Sequence, residues 1–425
     1  MELTKSSKMK KVYILGGGTI SHVRNHLALC APAFGSTARQ IFDLCQKKFT
    51  DTQNYLFLTK MADFTSPMIT NEDVEELVKN INEDLNVKVV FFNVAMCDWN
   101  GEIAVNLDEE NPELIKSGKY AKRLKTSEGH KVMMLKPAEK IIKRIRENRK
   151  DIFVVGFKTT CGATEQEQYI AGLNLLKTNS INLVLANDTR TRLNMIITPE
   201  EAKYQVIKNR EWALAELVDM TWYRSQLTFT RSTVVDGKPV AWDSSEVPGV
   251  LRAVVNYCIT NGAYKVFNGA TVGHFAAKIG TNEFLTSIRK SNFNDIGKNG
   301  LVRIKTDGPD TVIAYGAKPS VGGQSQRIVF SEHPEYDCIV HFHCPLKENH
   351  LDDIPVISQR EYECGSHQCG QNTSNGLKKF GNLSCVMLDN HGPNIVFHSS
   401  ISIGEVTSFI YNNFNLDAKT GGPVN

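Results

Sequence analysis

Tyr336-Asp-Cys-Ile-Val-His-Phe-His-Cys-Pro345 is an apolar stretch that carries two histidines, His341 and His343, two residues apart. In an extended strand, residues two apart point to the same face, so the two imidazoles converge. A third, His391, follows in Leu388-Asp-Asn-His-Gly392 and can close a facial triad. Three protein ligands leave coordination positions open, which distinguishes a catalytic zinc site from a closed structural one. The pattern predicts a divalent metal site with zinc as the first choice, although imidazole also suits iron, nickel and copper.

These histidines resemble the His-x-His and later Asn-His-Gly motifs of the class II aldolase/adducin family, in which they bind zinc or another divalent ion. The resemblance covers residues 246–425 and includes three further stretches: Asn268–Lys278, Gly280–Ser287 and Lys318–Gly322. Backbone amides beside Thr and Ser hydroxyls suit a phosphate or a carboxylate. The family implies a homo-oligomeric, metal-dependent lyase with helices around a mostly antiparallel sheet. Taken alone, the His-x-His pair is also compatible with two polar side chains that fill a strand core without a metal.

The chain departs from the aldolases at Gly322, where they place an acid/base glutamate. Glycine cannot transfer a proton, and general acid–base catalysis contributes about 10²–10⁴-fold to a rate. A second branch, the methylthioribulose-phosphate dehydratases, takes its base from a segment after His-x-His, where this chain has Glu361 and Glu363. We therefore predict Glu361 as the replacement base, with water loss as an alternative to carbon–carbon cleavage. A solvated loop carboxylate is the competing interpretation of Glu361.

Near the N-terminus, Lys10-Lys-Val-Tyr-Ile-Leu-Gly-Gly-Gly-Thr-Ile20 is an apolar strand that runs into a glycine-rich turn. Glycines allow backbone amides to approach a phosphate closely, and a helix that follows can add its positive end. The stretch is neither a complete G-x-G-x-x-G motif nor a Walker loop, so the signal is weak by itself.

Four more stretches in the same half resemble phosphopantothenate–cysteine ligase, the synthetase domain of coenzyme A biosynthesis, over residues 8–226. They are Phe92–Trp99, Lys119–Lys122, Val155–Thr159 and Leu185–Asp188. The resemblance implies a pocket for CTP or ATP, which activates a carboxylate. The residues carried over are Gly17, Gly18 and Thr19 for phosphate, Asp98 for the nucleotide, Lys119 for transferred charge and Phe157 for the base. Each also has an ordinary structural interpretation as a glycine turn, a strand-end aspartate, a solvated lysine or a core phenylalanine.

This half departs from its family as well. The family's Arg-x-x-x-Asn stretch reads Arg24-Asn-His-Leu-Ala28 here, so the asparagine that helps to activate the substrate carboxylate is replaced by Ala28. Asn25 and His26 lie nearby and could compensate after a change of register. We interpret this half as keeping the fold and the nucleotide pocket with a changed acyl substrate.

The first half alternates helical patterns with continuous apolar runs such as Val89–Phe92 and Ile152–Val155. This alternation indicates an α/β fold with a Rossmann-like, three-layer domain around a parallel sheet. Ligands of such sheets lie beyond the carboxyl ends of the strands, where the glycine turn, Asp98 and Asn187 fall, so Asn187 joins the predicted nucleotide site. We place the nucleotide-binding domain at residues 1–228, a polar linker at 229–245 and the metal domain at 246–425.

Charge is balanced, with 49 basic and 46 acidic residues and a net charge of +3, so no global field favours nucleic acid or an anionic membrane. The sequence has no signal peptide and no run of 18 apolar residues, and we expect a soluble, cytoplasmic protein with ten reduced cysteines.

Cys364, His367 and Cys369 give a weaker second metal hypothesis, because Cys-x₄-Cys lacks a four-ligand pattern. Residues 418–425 are expected to fray.

Two classes of function remain. The leading hypothesis is a bifunctional metabolic enzyme, in which a CTP- or ATP-dependent, carboxylate-activating domain precedes a metal-dependent aldolase or dehydratase for a phosphorylated or carboxylated small molecule. The alternative is a non-catalytic, adducin-like binding or assembly module fused to a nucleotide-binding domain. Retention of the three histidines favours the enzyme, whereas loss of the glutamate and the asparagine favours the module. Fold alone cannot decide between them.

Overall fold

The computed structural model describes residues 9–104, 114–115, 117–308, 311–320 and 323–424. The chain divides into two compact units. The first unit comprises Met1–Gly162, Ala171–Ile196 and Ile207–Ser225. The second comprises Ala163–Ile170, Ile197–Val206 and Gln226–Asn425, so it includes two short segments that come before residue 226.

Strands and helices alternate in the first part of the chain. The strands are β1 (Lys10–Gly18), β2 (Ile20–Arg24), β3 (Leu27–Cys30), β4 (Thr52–Leu58), β5 (Val87–Ala95), β6 (Trp99–Ala104), β7 (Leu114–Ile115), β8 (Val132–Pro137), β9 (Phe153–Thr160), β10 (Leu183–Asp188), β11 (Asn194–Ile197) and β12 (Lys203–Ile207). The helices are α1 (Ser36–Lys48), α2 (Asn71–Glu83), α3 (Ile142–Asn148), α4 (Glu165–Asn179) and α5 (Arg210–Arg224), with a 3₁₀ turn at Thr126–Glu128.

Seven of these strands form one sheet in the order β12-β11-β10-β9-β5-β1-β4. Its strands β4, β1, β5, β9 and β10 pair in parallel. Their apolar runs are buried on both faces, as successive residues such as Ile14 and Leu15 or Val154 and Val155 show. The predicted Rossmann-like, parallel-sheet domain is confirmed.

The second part contains shorter strands between helices. The strands are β13 (Arg231–Val235), β14 (Val266–Phe267), β15 (Ala270–Thr271), β16 (His274–Lys278), β17 (Glu283–Ser287), β18 (Leu301–Thr306), β19 (Thr311–Tyr315), β20 (Cys338–His341), β21 (Val356–Ile357), β22 (Lys378–Phe380), β23 (Leu383–Leu388) and β24 (Gly392–Phe397). The helices are α6 (Gly249–Thr260), α7 (Ile296–Asn299), α8 (Gly323–Glu332), α9 (His367–Gly376) and α10 (Ile403–Asn413), with a 3₁₀ turn at Phe293–Asp295. No helix in the described ranges is both long enough and apolar enough to span a bilayer.

A second sheet runs in the order β13-β19-β18-β17-β16-β20-β24-β23-β21, with β22 joined to β23. Its pairs are antiparallel except β13–β19 and β21–β23. Alternate residues of β16 and β20 face two separate cores. Phe275 and Val340 pack with α6 and α10, whereas Ala276 and Ile339 pack with Phe330 of α8. The predicted layered domain with a mostly antiparallel sheet is confirmed.

The expectation that the last residues fray is wrong for residues 418–424. The Lys419 side chain is 2% exposed and pairs with Glu201, and Thr420 is 8% exposed. Thr420 also donates hydrogen bonds to two backbone carbonyls. Composition predicts fraying there, but burial and backbone hydrogen bonds decide whether a terminal segment is ordered.

Candidate metal centre and nucleotide site

The structure brings the three predicted metal ligands together in the second unit. His341 ends β20, His343 follows two residues later, and His391 lies in the turn between β23 and β24. Because β20 pairs antiparallel with β24, this turn lies beside the end of β20, with His341 opposite Asn394. The three side chains are buried, and one ligand atom of each lies within 4.8 Å of the others. Among the described residues, this is the one group of three or more His, Cys, Asp or Glu side chains spaced to hold a metal ion.

The spacing of the ring nitrogens fits ligands that share one ion. His341 Nε2 lies 3.2 Å from His391 Nε2. Two ligands about 2.0–2.1 Å from a zinc ion at the tetrahedral angle are about 3.3–3.4 Å apart. A hydrogen bond between the two nitrogens would have a similar length. This distance alone therefore does not distinguish a metal site from a hydrogen bond, whereas a third converging ring does. The centroid of the His343 ring lies 5.0 Å from that of His341 and 4.6 Å from that of His391.

Hydrogen bonding and burial prepare His341 as a neutral ligand. Its Nδ1 lies 2.7 Å from the Pro393 carbonyl oxygen, so Nδ1 carries the proton and the Nε2 lone pair faces His391. Burial lowers the pKa of His341 to about 4, although the bond to Pro393 opposes part of that shift. A metal ligand must be deprotonated, and this imidazole is neutral near pH 7. The residues present thus fit a divalent ion.

Gly392 controls the approach of the His391 turn to the His341–His343 strand end. A Cβ added there would lie 2.0 Å from the Phe342 carbonyl oxygen, between the two histidines. We expect Gly392→Ala to displace the turn, to destabilise the protein by about 1–3 kcal/mol as overpacking does, and to weaken zinc binding. Thermal unfolding and chelator competition measure both effects. Gly249→Ala in α6, where the added Cβ meets nothing within 4 Å, is the matched control, and equal zinc affinity in the two variants would contradict the prediction.

His274 is a further polar residue at this centre that the motifs did not single out. β16 pairs with β20 so that His274 lies opposite His341, and their ring centroids are 4.7 Å apart. Its Nδ1 lies 2.8 Å from Nε2 of Gln326. Burial, and then the neighbouring His341, lower the pKa of His274 well below its usual value, which keeps the ring neutral. In the sequence it is one histidine within Asn268–Lys278, and only the strand pairing shows its neighbour.

Two serines mark a candidate anion site. Ser287 ends β17, and its carbonyl accepts the Ser320 N–H at 2.8 Å. Both side chains are buried, and neither hydroxyl has a hydrogen-bond partner within the part of the chain that the structure describes. A buried polar group without a partner costs about 1–3 kcal/mol, which a bound phosphate or carboxylate would offset. In the β16–β17 hairpin, Ser287 lies at the same end as His274. Gly280 lies in the turn at the opposite end, so only the Ser287 part of the stretch Gly280–Ser287 lies near His274.

Glu361, the predicted base, lies between β21 and α9. Its carboxylate is 3.5 Å from the Arg360 guanidinium, and its side chain is 39% exposed. Glu363, the second candidate, is buried. Gly322, at the position where the aldolases have a glutamate in the predicted resemblance, lies outside the described residues. The assignment of Glu361 therefore stays a prediction.

The weaker metal hypothesis, at Cys364, His367 and Cys369, finds no support in the geometry. His367 Nε2 lies 3.3 Å from the Thr230 hydroxyl, and Cys369 Sγ lies 3.3 Å from Gln359 Nε2. Within the described ranges these side chains do not form a group spaced to hold an ion.

In the first unit, the glycine run ends a strand instead of forming a turn. β1 extends to Gly18, a β2–β3 hairpin follows, and the helix expected after the glycines, α1, begins only at Ser36. Helix α1 nevertheless packs over the run, because a Cβ on Gly16 would lie 2.2 Å from Ala38 Cβ. A Cβ on Gly17 would lie 2.2 Å from the Thr59 hydroxyl, and one on Gly18 2.0 Å from the Ala31 carbonyl oxygen. Only glycine fits these approaches.

Thr19 uses its polar groups inside the protein. Its N–H donates to the Ala95 carbonyl at 3.0 Å, and its hydroxyl donates to Asn71 Oδ1 at 2.6 Å and accepts the Cys97 N–H at 2.8 Å. The side chain is fully buried. Thr19 therefore ties the end of β1 to the end of β5, and its role at a phosphate stays a prediction.

Two other predicted nucleotide residues lie at the carboxyl ends of parallel strands. Asp98 follows β5, is largely exposed and pairs with Lys140. Asn187 lies near the end of β10, where Thr159 Oγ1 of β9 is 3.4 Å from its Oδ1. Because β1, β5, β9 and β10 are parallel, their carboxyl ends share one edge of the sheet, which is where ligands of such sheets bind.

Phe157 lies within β9, and Lys119 lies in the loop between β7 and β8. Phe157 is half-buried in β9, opposite Leu185 of β10. Lys119 is exposed, with Nζ 5.8 Å from the centroid of the Tyr120 ring. Neither position by itself identifies a ligand, so their roles stay predictions.

Comparison with known proteins supports, at the level of sequence, the resemblance of the N-terminal half to phosphopantothenate–cysteine ligase. No family model matches the chain. Over 188 residues, the chain is 27% identical to the coenzyme A biosynthesis bifunctional protein CoaBC of Thermococcus kodakarensis, and the alignment covers 43% of this chain and 42% of CoaBC. The match lies in the N-terminal half. The chain therefore spans less than half of the length of this relative.

Solved structures overlap each half in part. The DNA/pantothenate metabolism flavoprotein from Streptococcus pneumoniae has a TM-score of 0.40 and 18% identity, over 50% of this chain and 99% of that one. The C-terminal domain of a CoaBC has a TM-score of 0.37 and 16% identity, over 50% of this chain and 94% of that one. The L-fuculose-1-phosphate aldolase from Thermus thermophilus has a TM-score of 0.30 and 16% identity, over 40% and 89%.

Proposed function

We propose that the chain is a bifunctional metabolic enzyme with a nucleotide-dependent, carboxylate-activating domain and a divalent-metal-dependent lyase domain. The observation that carries the proposal is the buried group of His341, His343 and His391, whose ligand atoms lie within 4.8 Å of one another. Burying three polar rings in one place costs desolvation free energy. A shared ion offsets that cost and explains why the three converge, whereas a module that only binds partners has no need of an open metal site.

In the metal domain, His341, His343 and His391 would hold the ion. A bound divalent ion supplies Lewis-acid polarisation of a substrate carbonyl. The other residues bind and orient the substrate. The Ser287 and Ser320 hydroxyls donate to its phosphate or carboxylate group, and the buried surroundings of the histidines limit access of water. This arrangement favours a small phosphorylated or carboxylated carbonyl compound as the substrate class.

Proton transfer in this domain is assigned to Glu361. We expect Glu361→Gln to keep zinc binding, because the residue is not a ligand, and to lower lyase or dehydratase turnover by about 10²–10⁴-fold. A panel of sugar phosphates and elemental analysis measure the two properties. Glu335→Gln, at an exposed carboxylate in the same unit, is the control. Full turnover in Glu361→Gln would move the role to Glu363.

In the nucleotide domain, the amides of Gly17 and Gly18 bind phosphate, while Asp98 and Asn187 bind the nucleoside at the adjacent strand ends. Lys119 supplies a compact cation for the oxygens of a phosphoryl or acyl-phosphate group. CTP and ATP are both candidates. Ala28, an exposed residue of β3, stands where the ligase family has an asparagine, and we therefore propose an acyl substrate other than phosphopantothenate.

Elemental analysis of the purified protein, before and after reconstitution with Zn²⁺, tests the proposal without a known substrate. We expect about one divalent ion per chain, as for a catalytic site with three protein ligands. Turnover of phosphorylated carbonyl compounds would then be screened with the loaded protein. A chain that takes up no ion under any of these conditions would overturn the lyase assignment and leave the binding module as the better description of this half.

A further inference from the structure

Lys419–Gly422, a short segment after α10, contacts the backbone of two of the three candidate ligand residues; we call it the clamp segment. The Thr420 N–H donates to the His343 carbonyl at 3.0 Å. The Thr420 hydroxyl donates to the His391 carbonyl at 2.6 Å, and both atoms are buried. One residue thus joins the strand end that carries His343 to the turn that carries His391.

A buried ion pair anchors the clamp segment within the second unit. Lys419 Nζ lies 3.0 Å from the Glu201 carboxylate, and each side chain is 2% exposed. Nζ also donates to the Tyr169 hydroxyl at 3.1 Å, and this hydroxyl donates to the Glu201 carbonyl at 2.7 Å. Gly421 has a φ of +82°, and a Cβ there would lie 1.9 Å from the Glu201 carbonyl oxygen. These contacts fix the segment independently of the histidines.

We propose that Thr420 is a positioning residue, which sets the separation of His343 and His391 and so shapes the metal centre. This inference rests on the proposed metal function of the triad. The ligands of a metal site must be held within about 0.5 Å of their productive positions, and residues that are not ligands hold them there. His341 is oriented by its own Nδ1 bond to Pro393. For His343 and His391, Thr420 bonds both main-chain carbonyls and ties them to the Lys419–Glu201 anchor.

Coupling between the clamp segment and the metal must be reciprocal. If the Thr420 bonds favour the arrangement that binds an ion, then the bound ion favours the Thr420 bonds by the same factor. Amide hydrogen exchange at Thr420, whose N–H is bonded to His343, is therefore expected to slow when Zn²⁺ binds. This measurement uses the unaltered chain and does not depend on activity.

Substitution at Thr420 tests the inference with Zn²⁺ alone as the probe. Thr420→Val removes the hydroxyl but keeps the branched shape and the N–H. We expect its zinc affinity, measured by chelator competition, to fall about tenfold or more, as for other outer-shell partners of metal ligands. Thr420→Ser restores a hydroxyl and is expected to restore the affinity. Thr373→Val in α9, which removes a buried hydroxyl bonded to the Cys369 carbonyl at 2.9 Å, is the control and is expected to leave zinc affinity unchanged.

The possible outcomes distinguish failure of the Thr420 role from failure of the proposed metal function. Wild-type zinc affinity in Thr420→Val, or equally weak binding in Thr420→Ser, would overturn the role of Thr420 while leaving the metal site in place. Absence of zinc in the wild-type protein would overturn the proposed metal function and this inference with it. If Thr420→Val does not fold, the zinc affinity of Thr420→Ala and the amide exchange of Thr420 in the wild-type protein test the inference instead. An exchange rate that Zn²⁺ does not change would overturn the coupling.

Discussion

His343→Ala is expected to abolish zinc binding to the second unit. The His343 ring is 4% exposed and lies 4.6 Å from the His391 ring, so the variant leaves two imidazoles around a small gap. Changes at outer-shell partners already lower metal affinity about 10–100-fold, and we expect the loss of a ligand to exceed about 100-fold. Elemental analysis should give about one ion per chain for the wild type and almost none for the variant after desalting. Chelator competition then gives the change in affinity.

His391→Ala should behave in the same way, because its Nε2 lies 3.2 Å from that of His341 in the same group. His398→Ala is the matched control: this histidine is in the same unit, but it is half-exposed and its Nδ1 is bonded to the Ser400 hydroxyl. The control should keep its zinc. Equal zinc content in His343→Ala and in the wild type would show that the ion is bound elsewhere and that the three histidines are polar core residues.

The convergence of the histidines could be predicted because it follows from local geometry. A strand alternates its side chains, so His341 and His343 face one way whatever surrounds them. The Asn-His-Gly turn could be predicted as well, because its residue types suit its backbone. Asn390 has a φ of +55°, which asparagine tolerates, and Gly392 lies against the Phe342 carbonyl, where only glycine fits. The parallel sheet followed in the same way from apolar runs that are buried on both faces.

Contacts between distant parts of the chain could not be predicted in this way. His274 meets His341 only because β16 pairs with β20 in one register, and sequence spacing does not determine strand pairing. A helix was expected to follow the glycine run, but the sequence did not show the β2–β3 hairpin that comes between them, nor that α1 packs over the glycines.

Residues after 418 look polar and flexible in isolation, and their order depends on Glu201, more than two hundred positions earlier. The candidate site was thus predictable as far as its ligands, and unpredictable in the residues that hold those ligands.

Lys119→Ala is expected to remove most of the stabilisation that CTP or ATP gives to the first unit. A nucleotide at one hundred times its Kd stabilises by about 2.7 kcal/mol, which raises the Tm of a unit of this size by about 5–10 °C. If loss of the lysine charge weakens binding a hundredfold, the same concentration equals the Kd, and the rise falls to about 1–2 °C. Thermal unfolding with and without each nucleotide measures the difference.

The unliganded Tm should not change, because Lys119 is exposed and no carboxylate pairs with it in the described part of the chain. Lys125→Ala, at an exposed lysine outside the Lys119–Lys122 stretch, is the matched control and should keep the full nucleotide shift. A full shift in Lys119→Ala would exclude this lysine from the site. If neither nucleotide stabilises the wild-type protein, the glycine run, Asp98 and Asn187 keep their places at the sheet edge as structural residues, and chemistry, if any, belongs to the histidine centre.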